Sequence, residues 1–519
     1  MAGIPDGSLR SAEFSGRMLE MEKEEKKVVL AASEAVEQQM AEEHMDWQNA
    51  GSVREYLDAV GEQIENPHAR CAIRREIGNH IEEQTESYLR EGMTPLTAAQ
   101  EAVRQMGDPV ETGRELNRIH RPQFPTMLFG ITIALTLMGI VMQGILFSHM
   151  ETAGTENYLR NTILYNGIGL LLILGLLYGN YMKLVRFSYG LTVLFIAAGL
   201  ASGILGPHIG SSSYHDRYEL IYRLWMLFPV LYAMLLYRMR NLGWKAILIL
   251  DVVYLVMVPL LSQDTSCVVG MMEAFLLSTA ILFLAIGRGI LSGKKRAQYL
   301  VAAGLPAAGL LFFLVRMVGS GYATYQMDRI RHMLLILMGK GVAEENYIAR
   351  NIRQEQHGFS LLGGGKISEA LLFTSDRNAG VWFLSQESST TYIIHSIFLW
   401  FGIIVGGLVI VALFAFAFYA LRISLRQSNR AALLLGSMCS LSILLRIFNA
   451  VLVNFGFGIY YTVSIPFLAY GLGNCLVNSL MVGVILCVFR NSNVMMGELE
   501  KSFNVQSANA ERKETKTES

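Results

Sequence analysis

The sequence has few cysteines and no cysteine pattern. Cys71, Cys267, Cys439, Cys475 and Cys487 form no CxxC pair and show no metal-ligand spacing. This excludes a zinc ribbon or a disulfide-stapled design and leaves them as small buried apolar residues. No GxxxxGK[ST] stretch is present, so the usual phosphate loop for nucleotides is missing. There is no excess of either charge: 43 Lys and Arg balance 43 Asp and Glu. No nucleic-acid partner is therefore expected. No apolar run of any length precedes residue 125, so no signal peptide is read, and residues 1–122 are expected to stay on the cytoplasmic side.

Charge is scarcest in the middle of the chain. From 125 to 489 it retreats to short clusters between apolar runs of about 18 to 30 residues, long enough to cross a bilayer. About ten spans are expected, near 125–148, 162–183, 187–206, 220–237, 244–261, 267–287, 297–318, 392–421, 431–454 and 462–489. Charge asymmetry orients them. With the N-terminus inside, the inner loops carry Lys183, Arg186, Arg238, Arg240, Lys245, Arg288, Lys294, Lys295, Arg296, Arg422, Arg426 and Arg430. The short outer loops carry only Arg160 and Arg217. The expected fold is all-α: a polytopic membrane protein of about ten transmembrane helices with both termini cytoplasmic, preceded by a small helical domain.

That domain is expected at 45–122, after a charged extension at 1–44. Ile73, Ile77 and Ile81 recur every four residues, with Tyr88 continuing the face. In "MTPLTAAQEAVRQMGDP", Thr94 suits a helix cap, Pro95 the first turn and Gly107 the stop. His68, His80 and His120 are scattered and form no catalytic group. "YLDAV", "REIGNHIEEQTESYLREG" and "AAQEAVRQMGDP" resemble the helical prefix domain found before permease-like membrane proteins, which implies a regulatory or adaptor role. At the other end, 491–519 is polar and reads as a disordered tail.

Three features of the 125–490 membrane domain go beyond lipid anchoring. The first is a long outer loop at 319–391. It combines a basic amphipathic stretch, "MDRIRHMLLILM", with a glycine-rich turn, "HGFSLLGGGK". Its Arg329, Arg331, Arg350, Arg353, Lys366 and Arg377 suit an anionic headgroup such as a lipid pyrophosphate. The second is "SIPFLAYGLGN" at 464–474, where Pro466 breaks the helix ladder and frees a carbonyl. There Gly471 and Gly473 would admit a close backbone, and Tyr470 and Asn474 would supply polar contacts. The third is a set of ionisable residues inside spans: Asp251, Glu273, His395 and Arg446. Arg446 would pair with an acid such as Glu273, whereas His395, near the outer mouth, would face water.

In order along the chain these features resemble the SEDS family (shape, elongation, division and sporulation), to which FtsW, RodA and SpoVE belong. "SIPFLAYGLGN" looks like the family's "PLPFxSYGGS", and "YQMDRIRHML" like its "YxxxRIxxFL". "NYIARNIRQEQHGFSLLGGGK" is similar to "YQxxQSxxAIxxGGxxGxG". "LLSQDTSCVVG" stands where the family has "QPDxGT", which puts Asp264 on that motif's Asp. "FLSQESSTTYIIHSIFLWFG" stands where the family has "FLPExxTDFIFxxxxEExG".

The resemblance implies a protein of the bacterial cell membrane that polymerises lipid II, or a similar undecaprenyl-linked precursor, outside the membrane. It also implies a class B penicillin-binding protein as transpeptidase partner. The chemistry is glycosyl transfer: a carboxylate deprotonates the acceptor hydroxyl and cations stabilise the leaving diphosphate. A divalent cation is compatible with that chemistry, and no other cofactor is implied. By resemblance Arg329, Arg331, Lys366, Asp264, Pro466, Tyr470 and Gly471 would bind substrate.

The chain departs from the pattern at the catalytic position. With Gly402 as anchor, the family's essential Asp falls on Thr391, which cannot act as a base at ordinary pH. The acidic pair before that glycine is replaced by Leu399 and Trp400, and the family's "PSExxK" is reduced to Glu219 and Arg223. Glu387, four residues before Thr391, is the candidate replacement base, and Asp376 a weaker one. Three functions stay open: a polymerase with a relocated base, a non-catalytic homologue that regulates envelope assembly, and a precursor flippase or transporter.

Overall fold

The computed structural model describes residues 51–65, 67–120, 123–148, 157–205, 213–261, 268–304, 356–363, 391–457 and 464–491, with 331, 335, 338 and 352. The chain divides into two compact units, one of 1–122 with 493–519 and one of 123–492.

The described part of the first unit is four helices: α1 (Gly51–Glu62), α2 (Pro67–Arg90), α3 (Pro95–Gln105) and α4 (Pro109–His120). Three of them begin on a proline, whose fixed φ and missing N–H suit the first helical position. α2 packs on α1 and α3, and α1 packs on α4. Between them lie Val53, Tyr56, Val60, Ile64, Ile73, Ile77, Ile81 and Ala99, all buried. The stripe on α2 departs from the expected one after Ile81. Thr85 takes the buried place by turning its hydroxyl onto the Ile81 carbonyl (2.7 Å), while Tyr88 is only half-buried. Thr94 does occupy the cap position of α3, but its side chain makes no capping bond. Its hydroxyl pairs with that of Thr97 at 2.7 Å instead.

The described part of the second unit is helical as well: α5 (Thr126–Ser148), α6 (Tyr158–Leu177), α7 (Tyr181–Arg186), α8 (Ser188–Leu205), α9 (Ser213–Arg238), α10 (Trp244–Leu261), α11 (Val268–Gly287), α12 (Ile393–Leu425), α13 (Arg430–Asn454) and α14 (Leu472–Arg490). α5, α6, α11, α12, α13 and α14 contain stretches long and apolar enough to cross a membrane, making this a multi-pass membrane protein. α8, α9 and α10 fall on the third, fourth and fifth expected spans. The seventh expected span is helical from 295 to 304 and otherwise lies outside the described residues.

α9 sits at the centre, in contact with α8, α10, α11, α13 and α14. Its C-terminal half is largely buried, with Trp225, Phe228, Tyr232, Leu236 and Tyr237 each at most 1% exposed. The outward faces of α6, α8 and α12 instead expose Leu171, Val193 and Leu408, as lipid contact requires. Three expected spans have different limits. The second ends at Leu177 and resumes as the short α7. The tenth becomes helical only at Leu472, and the eighth runs on to Leu425 across a break at Gly402.

Candidate functional site

Two motifs singled out in the sequence are places where the helical bundle is broken and then held by specific contacts. The first break is inside α12. Gly402 has φ 86° and ψ 178°, a conformation open to glycine and costly for other residues. The break frees backbone groups that an unbroken helix would bond internally. The glycine-rich loop satisfies them: Ile403 N–H donates to the Ser360 carbonyl (3.0 Å) and Ile404 N–H to that of Leu361 (3.3 Å). Gly363, at φ 63°, lies so close that a Cβ there would meet the backbone of Trp400 and Phe401. The described part of "HGFSLLGGGK", residues 357–363, is therefore seated in the helix, not merely turned at its surface. Phe359 anchors it against His395 and Phe398, with ring centroids 5.4 and 5.3 Å away.

At the start of α12, Thr391 is wholly buried and its hydroxyl has no hydrogen-bond partner among the described residues. Asn454, the last residue of α13, holds this end. Its Nδ2 donates to the Thr391 carbonyl at 2.8 Å and its Oδ1 accepts from His395 N–H at 2.9 Å. His395 is 2% exposed, so it packs inside instead of facing water as expected. The reason is the ring contact with Phe359, which covers it.

The second break is the segment 464–471. It is not helical, and Pro466 within it is buried. Phe467 has φ 68°, strained for a residue with a side chain. Several contacts hold the strain. The Leu468 carbonyl accepts from Gln143 Nε2, and Gln143 Oε1 accepts from the Thr162 hydroxyl at 3.0 Å. The Phe467 carbonyl fits against Gly139, where a Cβ would collide with it. The Tyr470 ring packs on Tyr158 and Tyr165, at 4.7 and 5.8 Å, and its hydroxyl accepts from Asn161 Nδ2 at 3.4 Å. Asn474 Nδ2 donates to the Tyr470 carbonyl at 3.0 Å. Gly471, at φ 114°, starts α14. The expectation for Gly471 and Gly473 needs correction: Gly471 faces only the Asn474 side chain, the Arg223 side chain fills the space above Gly473, and the close backbone approach is at Gly139.

Beneath this turn lies a buried polar network. Arg446 is 2% exposed; its Nη1 donates to Asn478 Oδ1 at 2.7 Å, its Nε to the Ser442 carbonyl at 3.3 Å, and its Nη2 meets the Met481 sulfur. Glu273, 8% exposed, accepts from Asn449 Nδ2 at 3.1 Å. Among the described residues Arg446 and Glu273 form no direct salt bridge. The acid's contact is with Asn449, one turn along α13 from Arg446, so the expected direct pair is replaced by separate neutral partners for each charge. Asn478 also lines a cavity of about 20 Å³ with Thr136, Asn166, Phe467, Cys475 and Ser479, enough for one water.

Of the residues expected at the site, Pro466, Tyr470 and Gly471 come together in the second break, and Thr391 lies at the start of the broken helix. Arg331 is helical and exposed. Arg329, Lys366, Asp264 and Glu387 lie outside the described residues, as does Asp376. Among the described residues no three His, Cys, Asp or Glu side chains gather as a metal site would require. Sequence reasoning missed Gln143, Asn449, Asn454 and Asn478. Their signal was present: each is a polar amide inside an apolar span, where an unsatisfied polar group is costly.

No family model and no curated protein matches the chain. Solved structures do match. One chain belongs to a structure described as "Structural coordination of polymerization and crosslinking by a peptidoglycan synthase complex". It is 16% identical, with 71% of this chain and 98% of that chain covered and a TM-score of 0.49. Another is the rod shape determining protein RodA of Thermus thermophilus, 16% identical, with 71% and 97% covered and a TM-score of 0.38.

Proposed function

We propose that this chain is a SEDS-type envelope protein that takes a lipid-linked peptidoglycan precursor at its outer face and extends a glycan from it. One observation carries the reading. Two of the motifs that carry the sequence resemblance meet the two breaks in the bundle: the glycine-rich loop bonds to the opening at Gly402, and the "PFLAYG" segment is the second break. A span that only anchored the chain would need neither a strained Phe467 nor a helix opened at Gly402.

In the reaction, the Glu387 carboxylate takes the proton of the acceptor sugar hydroxyl. The resulting oxygen attacks the anomeric carbon of the donor, and the bond from that carbon to the lipid diphosphate breaks. Arg329, Arg331 and Lys366 offset the charge on the departing diphosphate. Thr391 takes no proton. A class B penicillin-binding protein would crosslink the product, and the topology is multi-pass with both termini in the cytoplasm.

A second reading is favoured by Thr391 itself. The position matching the family's acid is sealed from solvent, with its carbonyl held by Asn454. On that reading the chain binds the precursor without turning it over and regulates envelope assembly. The test is polymerisation of fluorescent lipid II by the full chain, alone and with a class B transpeptidase, beside Glu387→Gln and Arg329→Ala. Glycan chains from the wild type that are lost in Glu387→Gln support the relocated base. Lipid II binding without chains under every condition supports the second reading, and absence of both refutes the proposal.

A further inference from the structure

Charge is scarce in the membrane unit, so where it remains unpaired carries information. Between 274 and 304, and again between 391 and 491, the chain contains no Asp or Glu. Those stretches hold Arg288, Lys294, Arg296, Arg422, Arg426 and Arg430, all exposed. Among the described residues none of the six forms a salt bridge. Three other cations at helix ends are engaged within the chain. Arg238 lies over the Tyr189 ring at 4.1 Å and Arg490 over that of Tyr178 at 4.6 Å, while Arg240 is buried against Tyr237.

The two stretches meet. Arg288 Nη2 donates to the Leu425 carbonyl at the end of α12 (3.2 Å), tying the loop after α11 to the α12–α13 hairpin. The loop is compact: Lys295 Nζ folds back onto the Gly287 carbonyl at 3.0 Å, and Ser292 N–H donates to that of Arg240 at 3.0 Å. Beside it Tyr299, stacked on Phe283 at 5.9 Å, is 39% exposed, and Leu300 is 79% exposed. An aromatic and an aliphatic side chain open to the surroundings beside cations is the composition of a membrane–water boundary.

We propose that this face binds the headgroup of an anionic phospholipid. The rule that cations gather on one side of a membrane accounts for their side. It does not account for their convergence at one loop and one hairpin, nor for the absence of acids. A phosphodiester supplies what the chain withholds, because its oxygens accept forked bonds from guanidinium groups. The face lies at the ends of spanning helices, where headgroups are found.

The test is native mass spectrometry of the full chain, titrated with phosphatidylglycerol or cardiolipin against phosphatidylcholine. The variant is Arg288→Gln/Arg422→Gln/Arg426→Gln. The control neutralises three other exposed cations, Lys183→Gln/Arg186→Gln/Lys245→Gln. We expect wild type and control to retain anionic lipid, and the variant to lose affinity on the order of a hundredfold at low ionic strength. The three-fold Arg→Lys version should keep most of it. Should the triple variant fail to insert, Arg426→Gln alone still reads the effect, with loss of roughly fivefold expected. Equal loss in variant and control, no loss in either, or displacement of the lipid by inorganic diphosphate at matched ionic strength would each overturn the proposal.

Discussion

Removing the charge of Glu273 alone should destabilise the membrane unit more than removing it together with that of Arg446. Both side chains are buried, at 8% and 2% exposure, and Arg446 has only uncharged acceptors in direct contact. The buried acid that acts on its charge is Glu273, which accepts from Asn449. Breaking one side of a buried charge pair typically costs about 3–5 kcal/mol, because the other charge is left uncompensated. Replacing both by apolar or neutral side chains of similar size is often close to neutral. Glu273→Gln and Arg446→Met should therefore each cost about 3 kcal/mol or more, and the double variant less than either. Asn449→Leu should cost about 1–3 kcal/mol, since it removes the hydrogen bond to the carboxylate. The assay is reversible denaturant unfolding of the purified chain in micelles, read as a double-mutant cycle. Additive single effects would refute the coupling. So would an Arg446→Met variant as stable as the wild type.

Three further outcomes test the breaks and the caps. Gly402→Ala should cost at least about 1–3 kcal/mol, since the residue would take φ 86° with its Cβ against the Gly363 backbone; hydrogen exchange at Ile403 and Ile404 should rise. Gln143→Leu should cost about 1–3 kcal/mol by stranding the Leu468 carbonyl and the Thr162 hydroxyl, with faster exchange around 464–471 as the local readout. Thr94→Ala should change stability by less than about 0.5 kcal/mol, where a true cap would lose about 1; exchange rates in the first turn of α3 decide it.

The helices of the membrane unit were legible because a long apolar run has few alternatives in a bilayer. Their ends were less so, because they depend on partners far away in the chain. Nothing local says that the tenth span begins its helix at Leu472; the preceding turn is fixed by Gln143 and Gly139 on α5. Pro466, Tyr470 and Gly471 stood out because such residues are costly in an apolar run unless they build something. Thr391 was found by spacing from Gly402, but its partner Asn454 was not, since an asparagine at a helix end has many ordinary uses. The burial of His395 was likewise illegible: it depends on Phe359, which sequence reading had placed only in an outer turn.

The opening at Gly402 has a consequence for how the protein is made. In an unbroken α12, the N–H groups of Ile403 and Ile404 would bond to the carbonyls of Leu399 and Trp400. In the finished protein they bond to Ser360 and Leu361, which precede α12 in the chain. A lone helix leaving the insertion machinery has no such partners at hand and is expected to enter the lipid unbroken. The loop must then dock against the helix and take over those two bonds. Its segment 356–363 thus acts as a late assembly step carried within the chain, and maturation of this helix waits on docking of the loop before it.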